Sequence, residues 1–535
     1  MFFSVSDGSA RARVCHVSEP DFASAWRAGA AALERLVQRR AVQVRWLRVD
    51  WVKAVRTSTV ADWSRELART KRNYYRYGVA FDKQMQLAFL EQELNGNAML
   101  YGGNTVPHAQ INPHNFKVYA ATRFGAEVQI DLGDEREVYI LTTQGLFRDV
   151  EEQQSWLLYG AGRHAGRRVT ERLAEQDVMG MIARGSRYLA TQVQDSGVFH
   201  YGWHPCFDRP INAYNSLRHA STTYAMIEAW EVTGDDELKR AIDRSLDYLT
   251  GTLIAERGLA PGQRAAFLVD GGGSEVKLGG NAVCLLALSK YAAVTGTSRY
   301  HALMESLALG ILHMQDPVTG RFSHVLNYPD LSVKDPFRII YYDGEAAFGL
   351  MRLYGLTGDA RWLEAVVKAF DYFMAAEHWK AHDHWLSYCV NELTSYRPEL
   401  RYFEFGIKNV AGYLDFVRDR ITTFPTLLEL MMAAEAMLHK LPARPDTQPL
   451  LDSVDIDAFY VALERRAHYL QNGHFWPEYA MFFRNPRRIV GSFFIRHHAF
   501  RVRIDDVEHY LSGLVAYLKY LRAGGRDRAL RLRGA

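Results

Sequence analysis

The sequence predicts a mainly α-helical chain in which about five to six helical hairpins, joined by long links, close into a ring behind a smaller α+β domain. A gap-free internal repeat, small residues in the first helix of each repeat, and a different element order before residue 166 predict it. The expected boundaries are 1–165 and 166–535. A chain of 535 residues is also too long for one ordinary core.

The N-terminal stretches "FFSVSDGSARARVCHVS" and "AVQVRWLRVDWV" read as strands around a helix at about 20–38. A second helical stretch, "DKQMQLAFLEQELNG", precedes strand-like "FKVYAATRF" and "REVYILTTQGLF". Mixed order of this kind implies α+β architecture. Its expected role is docking of a protein partner, substrate guidance or packing against the ring.

Three later segments align without gaps: residues 218–249, 280–311 and 342–373. Their anchors Thr233, Thr295 and Thr357 are evenly spaced, since 295 − 233 and 357 − 295 are both 62. A glycine follows each anchor (Gly234, Gly296, Gly358) and suits the left-handed end of a helix. Next comes a residue that can cap a following helix, Asp235, Thr297 or Asp359. Each unit therefore reads as two antiparallel helices on a tight link. Leu238, Ile242, Leu246 and Leu249 illustrate the apolar spacing of the second helices. Further helices are expected near 172–194, 424–440, 453–470 and 505–522. Links of roughly 30 residues, longer than compact domains usually tolerate, separate the hairpins and are expected to carry function. The first helices hold Ala220, Ser221 and Ala225, then Ala282 and Ala287, then Gly344, Ala346, Ala347 and Gly349. Such small residues let helices crowd around an axis, which favours a closed ring over an open solenoid.

On this hairpin pattern and period, residues 170–525 resemble the α/α-toroid superfamily, the six-hairpin glycosidase-like fold. The resemblance implies a carbohydrate-active protein: a glycoside hydrolase, sugar epimerase or polysaccharide lyase. No family-specific catalytic motif accompanies it. The composition agrees with a soluble globular chain, with 48% hydrophobic and 23% charged residues. A formal charge of +3 gives no basic stripe for nucleic acid. No secretory signal and no apolar run long enough for a membrane span are visible, so a cytoplasmic protein is expected. Cys15, Cys206, Cys284 and Cys389 are scattered and read as free thiols. No spacing compels a metal or cofactor, and none is expected.

Candidate site residues come from superposing the repeats. First-helix starts read Arg218-His219, Gly280-Asn281 and Tyr342-Asp343-Gly344-Glu345. In a closed ring His219, Asn281, Asp343 and Glu345 would converge on one depression; alternatively His219, Asn281 and Asp343 are helix caps. The stretch "FFIRHHAFRVRIDDVEHYLSG" enters the last apolar helix near Asp505. Arg496, His497, His498, Arg501 and Arg503 would supply cations at the rim, while Asp505 or His509 would move protons. Asp505, Asp506 and His509 can equally cap the helix and pair across it. Asp270, before "GGGSE", is either a cleft carboxylate or a turn cap. "NGHFWPEYAMFF" sets His474 and Trp476 beside Glu478, as sugar subsites or plain loop cores do.

The expected catalytic set is therefore Asp343, Asp505, His219 and Asp270. Arg218, Tyr342, Glu345, Arg496, His498, Arg501, Arg503 and His509 are expected to bind substrate. A glycosidase would pair two carboxyls roughly 5 Å or 6.5 to 9.5 Å apart, with Asp343 beside Asp270 or Asp505. An epimerase or lyase would use His219 with Tyr341 or His498. Arginine forks favour an anionic polysaccharide or oligosaccharide. The reading from a different class is a non-catalytic scaffold in a polymer or cell-envelope pathway.

Overall fold

The computed structural model describes residues 1–270 and 272–533. Its N-terminal layer holds β1 (Phe2–Ser6), β2 (Arg13–His16), α1 (Phe22–Arg40), β3 (Trp46–Thr59), α2 (Val60–Arg69), β4 (Gly78–Ala80) and β5 (Ala88–Phe89). After α3 (Glu91–Gly96) and α4 (Pro113–Phe124) come β6 (Glu137–Asp149) and β7 (Gln154–Leu158). The strands form one sheet in the order β2-β1-β3-β6-β4-β5, with β7 also on β6. Its spine is the antiparallel β3/β6 pair, registered Trp46 to Asp149. The Trp46 indole donates to the Asp149 carboxylate at 2.9 Å, so the register is fixed by a buried hydrogen bond as well as by burial.

The remaining chain carries α5 (Glu175–Gln192), β8 (Gly202–His204), β9 (Arg209–Pro210), α6 (Ser216–Thr233), α7 (Asp236–Tyr248), β10 (Ile254–Ala260), β11 (Gln263–Asp270) and β12 (Glu275–Lys277). Next are α8 (Leu278–Thr295), α9 (His301–His313), β13 (Val325–Asn327), β14 (Val333–Asp335), α10 (Tyr341–Thr357), α11 (Ala360–Ala375), α12 (His384–Tyr396) and α13 (Leu400–Lys408). The chain ends through α14 (Leu414–Asp419), α15 (Thr426–Leu438), α16 (Gln448–Asp452), α17 (Ile456–Leu470), α18 (Pro477–Ala480), β15 (Val502–Arg503), α19 (Ile504–Arg522) and α20 (Gly525–Arg533).

Among the described residues, six helices make an inner ring. α6 packs on α8, α8 on α10, α10 on α12, α12 on α15, α15 on α19, and α19 closes back on α6. Helices α5, α7, α9, α11, α13 and α17 lie outside them, so the ring is an α/α toroid of six hairpins. Hairpin chemistry follows the sequence: Gly234, Gly296 and Gly358 end their helices at φ 63, 70 and 68°. Asp235 accepts from the backbone of Glu237 and Leu238, and Asp359 from that of Arg361. Small residues do set the inner spacing. A Cβ on Gly344 would lie 2.7 Å from the Leu386 nitrogen, and one on Gly349 would lie 3.1 Å from the Ala282 carbonyl oxygen.

Several expectations change. The stretch "FKVYAATRF", expected as a strand, is most of helix α4, and of the expected helix "DKQMQLAFLEQELNG" only α3 is helical, with β5 before it. The stretch around 387–409, where no helix was expected, is mostly helix: it contributes α12 to the inner ring and α13 outside it. The long links before and after the second repeat hairpin, α8/α9, together form the five-stranded sheet β10-β11-β12-β13-β14. α8 is the one described helix long and apolar enough to cross a membrane, and 72% of its window is buried inside the ring. The four cysteines are unpaired.

The N-terminal layer and the ring share a core. Met481 and Phe482, from the link between α17 and α19, pack with Phe2, Trp46 and Leu141 of the sheet. Arg48 forks onto Asp50 at 2.8 Å and donates to the Glu478 carbonyl at 2.8 Å. Arg496, expected at the rim, instead pairs with Glu91 of α3 at 2.9 Å and is 2% exposed. Glu478, Trp476 and His474 are likewise buried between the layers, where Glu478 takes a two-point bond from Arg168. These side chains therefore sit where the two layers meet and not at the rim of the ring.

Candidate active site

The six inner helices begin at one rim, and side-chain contacts trace it. Arg218 near the start of α6 reaches Asp505 of α19 at 3.4 Å, and the Ser221 hydroxyl bonds the Glu508 carboxylate. His509 of α19 meets Glu429 of α15 at 3.0 Å, and Glu429 lies 3.9 Å from His384 of α12. Asp383, the residue capping α12, lies against Gly344 of α10. Glu345 and Tyr342 of α10 fill the space left open by Gly279 of α8. Gly280 then abuts Leu217 of α6.

At the centre of this rim stand two imidazoles. The His384 and His509 rings face edge to face at 5.4 Å and 74°. His384 Nδ1 lies 3.2 Å from the Asp383 carboxylate, and Nε2 is buried without a hydrogen-bond partner. His509 Nδ1 bonds Glu429 at 3.0 Å while its Nε2 lies 3.7 Å from Glu508. Burial raises the Glu429 carboxyl to about 8 against the opposing charge of His384, with Glu228 and Asp383 adding repulsion. Burial likewise raises Glu345 to about 8, opposed by Arg218, and Glu508 to about 7, opposed by His509, Ser221 and Arg218. A carboxyl held near 8 is mostly protonated at neutral pH and can donate a hydrogen bond. One Glu345 oxygen, Oε2, is buried and unpartnered. Arg218, whose side chain is 34% exposed, His509 at 16% and the half-buried Tyr341, whose ring stands 5.5 Å from His384, keep some exposure at this rim. The ligand atoms of His384, Glu429 and His509 lie within 4.8 Å of one another, so these three could also hold a divalent metal.

Of the sequence-derived candidates, the rim gathers Arg218, Glu345, Asp505 and His509. The others have different positions. His219, one residue beyond Arg218, points outward: Nδ1 meets the Tyr214 hydroxyl at 2.7 Å and Nε2 the Ser245 carbonyl of α7 at 3.0 Å. Burial pushes its pKa down to about 4, so it is a neutral core histidine. Asp343 is buried between His324 at 3.2 Å and His378 at 3.5 Å. Burial favours its neutral form, but those histidine bonds outweigh it and hold the carboxyl below its usual range. Asp270 accepts from the Ser216 backbone at 3.0 Å and pairs with Lys277. Asn281 caps nothing; it accepts from the Leu268 nitrogen at 2.9 Å and so ties α8 to β11. Tyr342 is buried with its ring 5.5 Å from His324, on the α8/α10 seam. His498 is exposed and touches Arg501 at 3.1 Å. Arg501 lies 3.6 Å from Asp506, and Arg503 bridges Asp505 at 2.9 Å and Asp506 at 2.8 Å. Asp505 therefore serves the arginines. The expected cationic rim is already matched by carboxylates.

Asp343→Asn should lower stability by about 1.5–3 kcal/mol, as for a lost hydrogen bond to a charged group, and leave turnover unchanged. Because the folded carboxyl titrates lower than the unfolded one, the deficit is full above the unfolded value and fades as pH falls through the folded value. Urea midpoints of the two proteins from pH 7 to pH 3 check it.

Sequence reasoning missed Asp383, His384, Glu429 and Glu508. His384 begins a helix that was not expected, and Glu429 sits in an otherwise apolar run, "LLELMM". Only the unbalanced acid in that run could have drawn attention.

No protein-family model and no curated protein matches the chain. Among solved structures it is similar to a GH76A α-1,6-mannanase from Salegentibacter sp. HEL1_6, at 12% identity and TM-score 0.43 over 64% of this chain and 98% of that one. It is similar to a D-mannose isomerase at 12% identity and TM-score 0.49, over 65% and 99% of the two chains. A sugar epimerase from a ruminal bacterium aligns at 10% identity and TM-score 0.49, over 66% and 99%.

Proposed function

We propose that the chain is a carbohydrate-active enzyme that moves a proton at a sugar carbon next to a carbonyl, giving an epimer or an isomer. The carrying observation is the facing pair His384 and His509, 5.4 Å apart, with Asp383 beside His384, Glu508 beside His509, and Glu429 bonded to His509 and 3.9 Å from His384. One imidazole takes the carbon-bound proton, and the electron pair moves onto the carbonyl oxygen. Arg218 and Tyr341 at the mouth hold that oxygen and its neighbouring hydroxyls. Returning the proton from the second imidazole, on the other face, inverts the carbon; returning it to the adjacent carbon, while the neighbouring hydroxyl's proton passes to the former carbonyl oxygen, shifts the carbonyl. Glu345, kept protonated by burial, donates a hydrogen bond to a substrate oxygen.

The closed hairpin ring supports a sugar as substrate, since it is the architecture expected from the toroid resemblance. Because Arg218, Arg501 and Arg503 already meet Asp505 or Asp506, a neutral sugar or short oligosaccharide suits the mouth better than an anionic polymer. The test is incubation with neutral aldoses, ketoses and disaccharides in heavy water, followed by proton NMR. Solvent deuterium at the carbon beside the carbonyl, with a new epimer or isomer, is expected, and chelation by EDTA should leave the rate unchanged. Reducing-end release without carbon-bound deuterium would make the protein a hydrolase. A rate lost to EDTA and restored by a divalent ion would assign His384, Glu429 and His509 to a metal.

A further inference from the structure

Far from the imidazole pair, a hollow of about 410 Å³ opens between the N-terminal layer and the link that follows α18. Six arginines line it and no carboxylate does: Arg11, Arg13, Arg39, Arg40, Arg123 and Arg484. They come from four separate parts of the chain, the β1/β2 region, the end of α1, α4 and the link after α18. Two are committed to structure. Arg123 pairs with Glu93 at 2.7 Å, and Arg11 donates to the carbonyls of Phe482 at 3.1 Å and Cys206 at 3.0 Å. Arg39 and Arg40 stand in the last turn of α1, where they also offset the negative end of the helix. Arg13 and Arg484 have no such task. None of Arg13, Arg39, Arg40 and Arg484 has a carboxylate partner among the described residues, and all four are exposed.

We infer that this hollow is a binding site for a small oligophosphate, separate from the sugar site. Gathering like charges from four chain segments around one concavity is unfavourable unless an anion offsets them. A single carboxylate would neutralise one guanidinium and leave three uncommitted. Several phosphate charges within a few hundred Å³ match the four forks, and guanidinium binds phosphate oxygens in two-point fashion. The volume falls in the range of small-molecule sites, so the fit is to a triphosphate with a modest substituent and not to a polymer. The like charge of Arg484 acts on the half-buried Arg11, whose pKa is pushed down chiefly by desolvation, which adds to the pull for an anion. Because Arg484 sits on the ring's link and Arg13 on the sheet, a bound oligophosphate would bridge the two layers.

Inorganic triphosphate is the probe, titrated calorimetrically into the full chain at physiological ionic strength, with a parallel thermal melt. One triphosphate per chain, a rise in Tm and much weaker binding of sulfate are expected. Arg13→Glu combined with Arg484→Glu, both exposed and therefore compatible with folding as checked by circular dichroism, should weaken triphosphate at least ten-fold. Arg187→Glu, in a separate arginine-lined hollow of about 650 Å³, should leave it unchanged. No triphosphate binding at 1 mM, binding unaffected by the paired substitution, or loss in Arg187→Glu instead would each overturn the assignment.

Discussion

His384→Asn should lower turnover by about 10²- to 10⁴-fold, the usual contribution of a positioned acid or base. Asparagine keeps a hydrogen-bonding group beside Asp383 and a similar volume at the start of α12, so the ring should still assemble. What it lacks is the Nε2 lone pair, the buried nitrogen that has no hydrogen-bond partner. His509→Asn should have an effect of similar size. If the two imidazoles act in one proton circuit, the double variant should be little worse than either single one. A purely structural pair would instead show additive losses in Tm and a proportionate loss of rate. Deuterium exchange at the sugar carbon separates the two histidines further, because removing one base can abolish inversion while leaving exchange on the other face. Turnover within three-fold of wild type in both single variants would remove the pair from the chemistry.

Arg168→Ala should cost about 3–5 kcal/mol of stability, the second large effect, because it strands a buried carboxylate. Arg168 forks onto Glu478 with bonds of 2.9 and 2.7 Å. Its guanidinium carbon also lies 4.0 Å from the Trp156 ring centre and 4.2 Å from that of Trp476, so the plane is held between one aromatic from each layer. Arg168→Lys should recover little, since an ammonium group cannot make both bonds or stack. Burial favours a neutral Glu478, but the charge and bonds of Arg168 outweigh it and hold the carboxyl below its usual range. The pair's contribution is thus fully present above the unfolded carboxyl's value and is lost as pH falls through the folded one. Urea midpoints at pH 7 and pH 3 should differ by less in Arg168→Ala than in the wild type. Equal differences would remove the pair from the acid sensitivity of the fold.

The hairpins were legible because their signals are local. A Thr-Gly-Asp turn, a left-handed glycine and an apolar stripe lie within a few residues of each other. The fourth inner helix was not, because polar Asn391, Glu392, Thr394 and Ser395 and the Arg397-Pro398 pair interrupt its stripe. What buries it is the ring, and ring closure is a property of the whole chain. The site was half legible for a geometric reason. Superposing the repeats located the right helix ends, yet each successive residue turns about 100° around a helix. Arg218 therefore faces Asp505 while His219 faces Ser245 on the outer helix, and Glu345 fills the gap at Gly279 while Asp343 is held by two histidines. Residues 384, 429 and 509 meet only because α12, α15 and α19 become neighbours, which no spacing in the sequence encodes.

The shared rim of the inner helices also has an electrostatic meaning. Each helix start carries about half a positive elementary charge in its unpaired amides, so six such starts surround the mouth with a fixed positive potential. Part of it is balanced by the first-turn carboxylates of α19, Asp505 and Asp506. An enolate forming at the imidazole pair would gain its negative charge inside that field, with the stabilising dipoles oriented when the ring folded and no reorganisation required during turnover.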